Sequence, residues 1–323
     1  MLPDFSYVRP GTLDEAVSLL ADGRSRVHGG GTDLLGCLRD RVFAAERLVS
    51  LRDLAGLRGI QETADGGLRI GALTAVAEIA EHETVRSRYR ALAEAAASVA
   101  SPQLRQQGTL GGNLCQKPRC WYYRGDFHCL RKGGDTCYAA AGENQYHCIF
   151  GGGPCFIVHP SDTAPALIVL GAAVQVVGPR GTRRVPLEEF YVLPEADVER
   201  ETTLGRGEIV TAIDLPPAGP SLRSSYRKVR ARGAWDFALV GMALALQLDG
   251  GVVRDARVAF SGVAPVPWRA RDVESVLRGQ RIDRAVVSRA MNAAVSKASP
   301  LPHNAYKVDL LRGLVEERLA SIA

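Results

Sequence analysis

The sequence predicts an α+β protein of two or three lobes, and three observations point there. A chain of 323 residues exceeds what one hydrophobic core usually serves. A run of breakers, Pro216, Pro217 and Pro220, divides it. Beyond those prolines strand-like runs come first and helical runs follow, the order of a half-buried antiparallel sheet with helices on one face. Composition is ordinary for a globular chain, with 46% hydrophobic and 23% charged residues and a formal charge of +5. The arginines are scattered rather than massed on one helix, which argues against nucleic-acid binding. Apolar runs such as 164–177 contain breakers and are too short to span a bilayer. The chain opens on MLPDFSYVRP, with no charged segment leading into an apolar one, so a reducing cytoplasm is the expected compartment.

Residues 5–10 read as a short strand. Thr12 then caps a helix, because Thr12-Leu13-Asp14-Glu15 has the capping-box form and Ala16, Val17, Leu19 and Leu20 follow at helical spacing. Next, Arg26-Val27-His28-Gly29-Gly30-Gly31-Thr32-Asp33-Leu34 reads as a strand, a triple-glycine turn and an apolar helix. Glycines there let backbone N–H groups converge on an anion, and Thr32 and Asp33 can cap the helix behind them. A plain strand–helix connection has the same look, and the spacing is not the G-x-G-x-x-G of a dinucleotide-binding unit. Residues 48–51 and 68–72 read as strands, Thr74 as a helix cap, and alanine-rich 89–100 as a helix that Ser101-Pro102 breaks. Residues 104–109 lead into a second glycine turn, Thr109-Leu110-Gly111-Gly112-Asn113, so the two turns fit two backbone cradles for one diphosphate-bearing ligand. Further on, 165–170 reads as a helix, 173–177 and 184–186 as a hairpin around Gly178-Pro179-Arg180-Gly181, and 208–214 as an alternating strand. Past the prolines, strands are expected over 225–230, 238–248 and 252–262, a turn over 264–269, and helices over 274–277, 282–297 and 308–322.

Six of the seven cysteines crowd between the second glycine turn and His159-Pro160-Ser161-Asp162-Thr163: Cys115, Cys120, Cys129, Cys137, Cys148 and Cys155. A disulfide framework belongs to small secreted domains and does not suit this chain. Zinc usually shows tight C-x2-C pairs, which are absent here, and ordinary free thiols are typically dispersed. An iron–sulfur cluster tolerates wider spacing, and its net negative charge favours nearby cations and N–H donors. Arg119, Arg124, Arg131, Lys132 and the glycines at 133, 134 and 151–153 supply both, so iron–sulfur leads while zinc and plain thiols stay open. Cys37, on the first helix after the triple glycine, is most simply a core residue.

With these residues in order, the chain resembles the FAD-binding medium subunits of the molybdenum hydroxylase family, which includes xanthine dehydrogenase, carbon monoxide dehydrogenase and 4-hydroxybenzoyl-CoA reductase. The resemblance spans essentially the whole chain. It rests on an ordered set: F-x-Y-x-R-P at 5–10, Gly29-Gly30-Gly31-Thr32-Asp33-Leu34, Gly108-Thr109-Leu110-Gly111-Gly112-Asn113, Ser161-Asp162 and Lys228-Val229-Arg230. It implies a vanillyl-alcohol-oxidase-type (PCMH-type) FAD-binding fold. The FAD-binding domain would cover 1–217, in subdomains of about 1–55 and 56–217 with a cysteine-rich insert over 115–158, and a C-terminal α+β domain would cover 218–323. It further implies that His28, Gly29, Gly30, Gly31, Thr32, Asp33 and Leu34, with Thr109, Gly111, Gly112 and Asn113, hold the FAD diphosphate. Asp162 would bind the sugar or polyol hydroxyls, Ile209 would pack near the adenine, and Lys228 would lie near the isoalloxazine. Read without the family, Asp162 is an ordinary helix cap and Lys228 a surface cation.

The cysteine segment departs from most of that family, whose glycine turn runs almost directly into the Ser-Asp pair. It is similar to the insert of 4-hydroxybenzoyl-CoA reductase and of bacterial periplasmic-type aldehyde oxidoreductases, whose flavin subunits carry an additional [4Fe–4S] cluster. By that resemblance Cys120, Cys129, Cys137 and Cys155 match its ligands. Cys115 falls within the flavin turn. Cys148 lies where the pattern places no ligand, beside an Ile149-Phe150 pair that reads as a packed strand, yet a loop shift would let it replace Cys155. The implied function is that of an electron-transfer oxidoreductase subunit. Substrate would react at a molybdopterin on a large partner subunit, and a small partner with [2Fe–2S] clusters would connect that site to the FAD held here, in a heterotrimer or its dimer. No nucleophile triad or paired-carboxylate site is apparent in the sequence. A self-contained flavin oxidase and a zinc-stapled module without flavin are the competing readings; the first lacks a substrate lobe with its own acid–base residues.

Overall fold

The computed structural model describes residues 1–322, arranged as three sheets with helices wedged between them. The first lobe contains β1 (Ser6–Val8), α1 (Leu13–Leu20), β2 (Ser25–His28), α2 (Leu34–Arg39) and β3 (Arg47–Ser50), its strands forming a parallel sheet in the order β1-β3-β2. Thr12 caps α1 as its pattern requires. Its hydroxyl accepts from the Glu15 N–H at 3.2 Å, and the Glu15 carboxylate turns back to accept from the Gly11 N–H at 2.7 Å. Such a cap is worth about 1 kcal/mol, and the helix then buries Ala16, Val17 and Leu20.

The second lobe runs β4 (Ile60–Glu62), β5 (Leu68–Gly71), α3 (Val76–Glu81), α4 (Glu83–Arg88), α5 (Arg90–Ser98), α6 (Pro102–Gln107), α7 (Leu110–Leu114), α8 (Trp121–Arg124), α9 (Thr163–Val169), β6 (Ala173–Gly178), β7 (Gly181–Pro186) and β8 (Ile209–Leu215). Its strands form an antiparallel sheet in the order β4-β5-β8-β6-β7. Three local expectations change here. Thr74 is not a helix cap: its hydroxyl accepts from the Gly59 N–H at 3.0 Å and donates to the Gly59 carbonyl at 3.1 Å, while α3 starts without a side-chain cap. Ser101-Pro102 ends α5 but also opens α6, because Ser101 caps the Leu104 N–H and proline lacks only a donor that a first turn leaves unpaired. The second glycine segment is no open turn either. Thr109 caps it and Gly111 and Gly112 lie in the first turn of α7.

The third lobe consists of β9 (Leu222–Val229), β10 (Val240–Asp249), β11 (Val252–Ser261) and β12 (Trp268–Arg269), antiparallel in the order β12-β11-β10-β9, then α10 (Arg271–Leu277), α11 (Arg284–Val295) and α12 (Tyr306–Ala320). The short strand β12 occupies the stretch expected to be a turn. The expected half-buried sheet is covered on both faces. Met242, Leu244, Leu246, Val258 and Phe260 share a core with α10, α11 and α12. Ala243, Ala245, Ala259 and Tyr226 face the other way and join the second lobe's core against α5 and α9. Small alanine side chains on that face let the helices come close, and α9 is buried at every residue. No helix is long and apolar enough to cross a membrane among the described residues.

Candidate functional site

Between the first two lobes lies a cavity of about 250 Å³ lined by Gly29, Gly30, Gly31, Thr32, Asp33 and Leu34, by Thr109, Gly111 and Gly112, and at its apolar end by Leu51, Leu73 and Ile209. The glycines are required by space and angle. A Cβ on Gly30 would stand 2.0 Å from the Gln107 carbonyl oxygen at the end of α6, and Gly31 has a left-handed φ of +74°. None of the backbone N–H groups of residues 29–34 donates to a protein acceptor among the described residues. His28, just outside this loop, packs edge-on to Tyr7, and burial lowers its pKa.

The second glycine segment contributes differently. Its N–H groups are already used: Leu110 donates to Thr74 O at 3.0 Å, Gly111 to Ala72 O at 2.8 Å, Gly112 to Thr109 Oγ1 at 3.2 Å and Asn113 to Thr109 O at 2.8 Å. A Cβ on Gly111 would press on Ala72 at 2.9 Å, so that glycine serves close packing, whereas Gly112 faces open space beyond the Thr109 hydroxyl. Of the two backbone cradles expected, only the one over 29–34 has N–H groups without a protein acceptor among the described residues. Asn113 is spent on structure, its Oδ1 accepting from Ser161 Oγ at 2.6 Å and Thr163 Oγ1 at 2.7 Å. Those two bonds zip the glycine segment to the Ser-Asp signature.

A second cavity, of about 290 Å³, continues past Thr32, Thr109, Gly112 and Gln116, which line both, toward Asp162 and Lys228. Asp162 is not a helix cap, and Lys228 is not a surface cation. Lys228 Nζ lies 2.7 Å from Asp162 Oδ2, with side chains 3% and 5% exposed, and Tyr226 donates to Asp162 Oδ1 at 2.7 Å. Burial raises the Asp162 pKa, and the Lys228 ammonium opposes it. Gly241, opposite Lys228 on β10, leaves the room this network needs, since a Cβ there would stand 2.2 Å from Ser261 Oγ and 2.9 Å from the Tyr226 hydroxyl. Tyr226 was readable as a partner only through its spacing, two residues from Lys228 and so on the same face of β9.

Asp33 does not cap α2 either. Its carboxylate reaches into the cysteine segment, accepting from the Lys117 N–H at 2.7 Å and Arg124 Nη2 at 2.7 Å, and it forms an ion pair with Arg119 at 2.9 Å. Glu201 adds a second tie, pairing with buried Arg131 at 2.8 Å and with Lys117. Within the segment Cys137 and Cys155 lie close enough to interact, which lowers the Cys137 thiol and raises that of Cys155. Burial pushes Cys120 up to about 11, with Cys129 and Cys137 near enough to add to it. Cys115 stands apart in the wall of the first cavity, pushed up by burial to about 12. Cys148, also about 12, precedes Ile149 and Phe150, which enter the core of the third lobe without forming a strand. Cys37 is fully buried, as expected. No three His, Cys, Asp or Glu side chains among the described residues converge closely enough to hold a single metal ion.

Residues 3–218 match the FAD binding domain in molybdopterin dehydrogenase, and residues 224–322 the CO dehydrogenase flavoprotein C-terminal domain. By class, then, the chain is an FAD-binding oxidoreductase subunit. It is 39% identical over 282 residues to the aldehyde oxidoreductase FAD-binding subunit PaoB of Escherichia coli (strain K12), covering 84% of this chain and 86% of that one. It is 27% identical over 301 residues to the carbon monoxide dehydrogenase medium chain of Hydrogenophaga pseudoflava, covering 92% and 88%. Its fold follows that of a chain of the reconstituted CO dehydrogenase from Oligotropha carboxidovorans, with a TM-score of 0.80, 24% identity and full coverage, 100% of each chain. The chain belongs to the family of FAD-binding medium subunits of molybdenum hydroxylases.

Proposed function

We propose that this chain is the electron-transfer subunit of a molybdenum-dependent hydroxylase, dehydrogenase or reductase, carrying FAD in the cleft and a [4Fe–4S] cluster on the insert. The observation that carries the flavin site is the run of unpartnered N–H groups over 29–34. These donors line the cleft without a protein acceptor, and a diphosphate supplies one. In this reading residues 28–34 hold the diphosphate, Thr109, Gly111, Gly112 and Asn113 shape the waist of the cleft, and Ile209 packs at the adenine end. Lys228, fixed by Asp162, faces the ring end. Asp162 reaches the flavin hydroxyls only as a further acceptor, since both its oxygens already serve Lys228 and Tyr226. When bound, flavin exchanges electrons singly or in pairs and so links one-electron clusters to two-electron partners.

The insert's donor set fits a cluster better than a single ion. Ligands of one zinc crowd at about 2.3 Å around it, and no such group is found among the described residues. The thiols near enough to influence one another are Cys120 with Cys129 and Cys137, and Cys137 with Cys155, and four thiolates are what a [4Fe–4S] cluster takes. The proposed ligands are Cys120, Cys129, Cys137 and Cys155, with buried Arg131 close enough to Cys155 to balance negative charge. The proposed domains are 1–217 and 218–323, and the proposed setting is a cytoplasmic heterotrimer, or its dimer, with a large molybdopterin subunit and a small [2Fe–2S] subunit. The relatives named as a medium chain and as an FAD-binding subunit support that assembly. Serine substitution at each of the six cysteines tests the ligand set by iron, acid-labile sulfide and reduced-state EPR. Variants at 120, 129, 137 and 155 should lose or degrade the cluster, and those at 115 and 148 should keep it. Iron lost in Cys148→Ser and kept in Cys155→Ser would contradict the assignment.

A further inference from the structure

We propose that His147 is a positioning residue for Cys120 and sets the cluster's reduction potential by donating a hydrogen bond to the cysteine sulfur; this rests on the [4Fe–4S] reading above. His147 Nε2 lies 3.2 Å from Cys120 Sγ. The ring is buried, with Tyr122 beside it at 6.3 Å between centroids. Its backbone is pinned from several sides. The His147 N–H donates to Asn144 O at 2.9 Å, and its carbonyl accepts from Lys307 Nζ at 3.0 Å and from Asn304 Nδ2 at 3.1 Å. Lys307 also donates to Gly262 O at 2.7 Å, so the start of α12 locks this loop onto the third lobe. The imidazole thus holds a fixed place against one sulfur.

The tautomer follows from what the other nitrogen lacks. His147 Nδ1 is buried and has no partner among the described residues. A buried orphan N–H is rarer in proteins than an under-used acceptor, so the ring proton belongs on Nε2, facing the sulfur. A thiolate bound to iron is an acceptor, and each electron added to a cluster increases the negative charge its sulfurs share. An N–H aimed at one of them therefore stabilises the reduced form more than the oxidised form, which raises the potential. Arg131, by contrast, acts on Cys155 through its charge and is committed to Glu201.

The test uses the complex with its partner subunits, purified anaerobically, in three versions: parent, His147→Phe and His147→Gln. Iron per complex is counted first, and the cluster potential is then read by redox titration followed with low-temperature EPR. Phenylalanine keeps a ring in the space and removes the donor. It should retain the parent's iron and lower the potential by about 59 mV, a tenfold shift of a one-electron equilibrium. Glutamine restores an N–H near the same place and should recover most of that shift. An unchanged potential in His147→Phe at full iron content overturns the inference and leaves the cluster reading standing. A parent complex with no iron on this chain overturns the cluster reading instead. Should His147→Phe lose its iron, His147→Gln decides: the parent's iron and potential support the donor, whereas lost iron or a lowered potential refutes it.

Discussion

Gly112→Val should weaken flavin binding while leaving the chain folded. A Cβ at Gly112 meets only Thr109 Oγ1, at 2.9 Å, and otherwise points into open space at the waist of the cleft. Valine would put two further methyl groups there. Overfilling a packed site costs about 1–3 kcal/mol, which corresponds to roughly 5- to 150-fold weaker flavin binding. The fold is exposed to less: a disturbed Thr109 cap is worth about 1 kcal/mol, or roughly 2–4 °C in Tm. Gly111→Val should behave in the opposite way, because its Cβ meets Ala72 Cβ at 2.9 Å and Ala72 O at 3.1 Å, so the strain falls on the junction of α7 with the strand before it. Both variants are compared by flavin-to-protein ratio after gel filtration and by thermal unfolding. Full flavin occupancy with parental affinity in Gly112→Val would refute the placement of the cofactor at this waist.

Three further perturbations separate parts of the site. Asp33→Ala removes the carboxylate shared by Lys117 N–H, Arg119 and Arg124; the cysteine insert should then be cut faster by proteases, with a loss of about 2 kcal/mol of stability, and a parental cleavage rate would count against the tie. Asp162→Asn leaves buried Lys228 without its counter-ion and should cost about 3–5 kcal/mol in calorimetry, together with weaker flavin binding; a Tm within one or two degrees of the parent (less than about 1 kcal/mol) would contradict the pair's importance. Lys307 is buried among carbonyl oxygens with no carboxylate paired to it among the described residues, and burial pushes its ammonium down to about 7. Between there and the ordinary lysine value of roughly 10.4 the unfolded chain holds the extra proton, so this group makes stability rise with pH across that window, and its cost is fully present below it. Lys307→Met should flatten that rise in thermal unfolding; an unchanged slope would show that Lys307 does not titrate there.

Local patterns in the sequence carried through where the physics is local. Thr12 and Glu15 cap α1 because both partners lie within one turn, and the triple glycine at 29–31 announces a turn in which Gly31 takes a left-handed φ and Gly30 leaves no room for a Cβ. Two adjacent glycines, by contrast, do not reveal whether their N–H groups point outward. At 111 and 112 those groups close a capped helix, and the deciding acceptors, Ala72 O and Thr109 Oγ1, come partly from elsewhere in the chain. Asp162 and Lys228 looked unremarkable for the same reason. A cap and a surface cation are what isolated residues suggest, and only the folded chain joins them, sixty-six positions apart, in a dry place. Asp33 shows the limit most clearly. It sits where a helix cap belongs, yet two donors and one ion-pair partner from the cysteine segment claim its carboxylate instead. In sequence the third sheet reads as half-buried, yet its small residues Ala243, Ala245 and Ala259 are a packing face for α5 and α9, which come from the other side of the proline run.

The most direct test is a cofactor count on the anaerobically purified complex beside the same complex carrying serine at 120, 129, 137 and 155. The account predicts one FAD per copy of this chain in the parent and about four more irons than in the serine version, with the difference spectrum showing a broad iron–sulfur shoulder. Equal iron in the two complexes, or zinc in place of the missing iron, would contradict it.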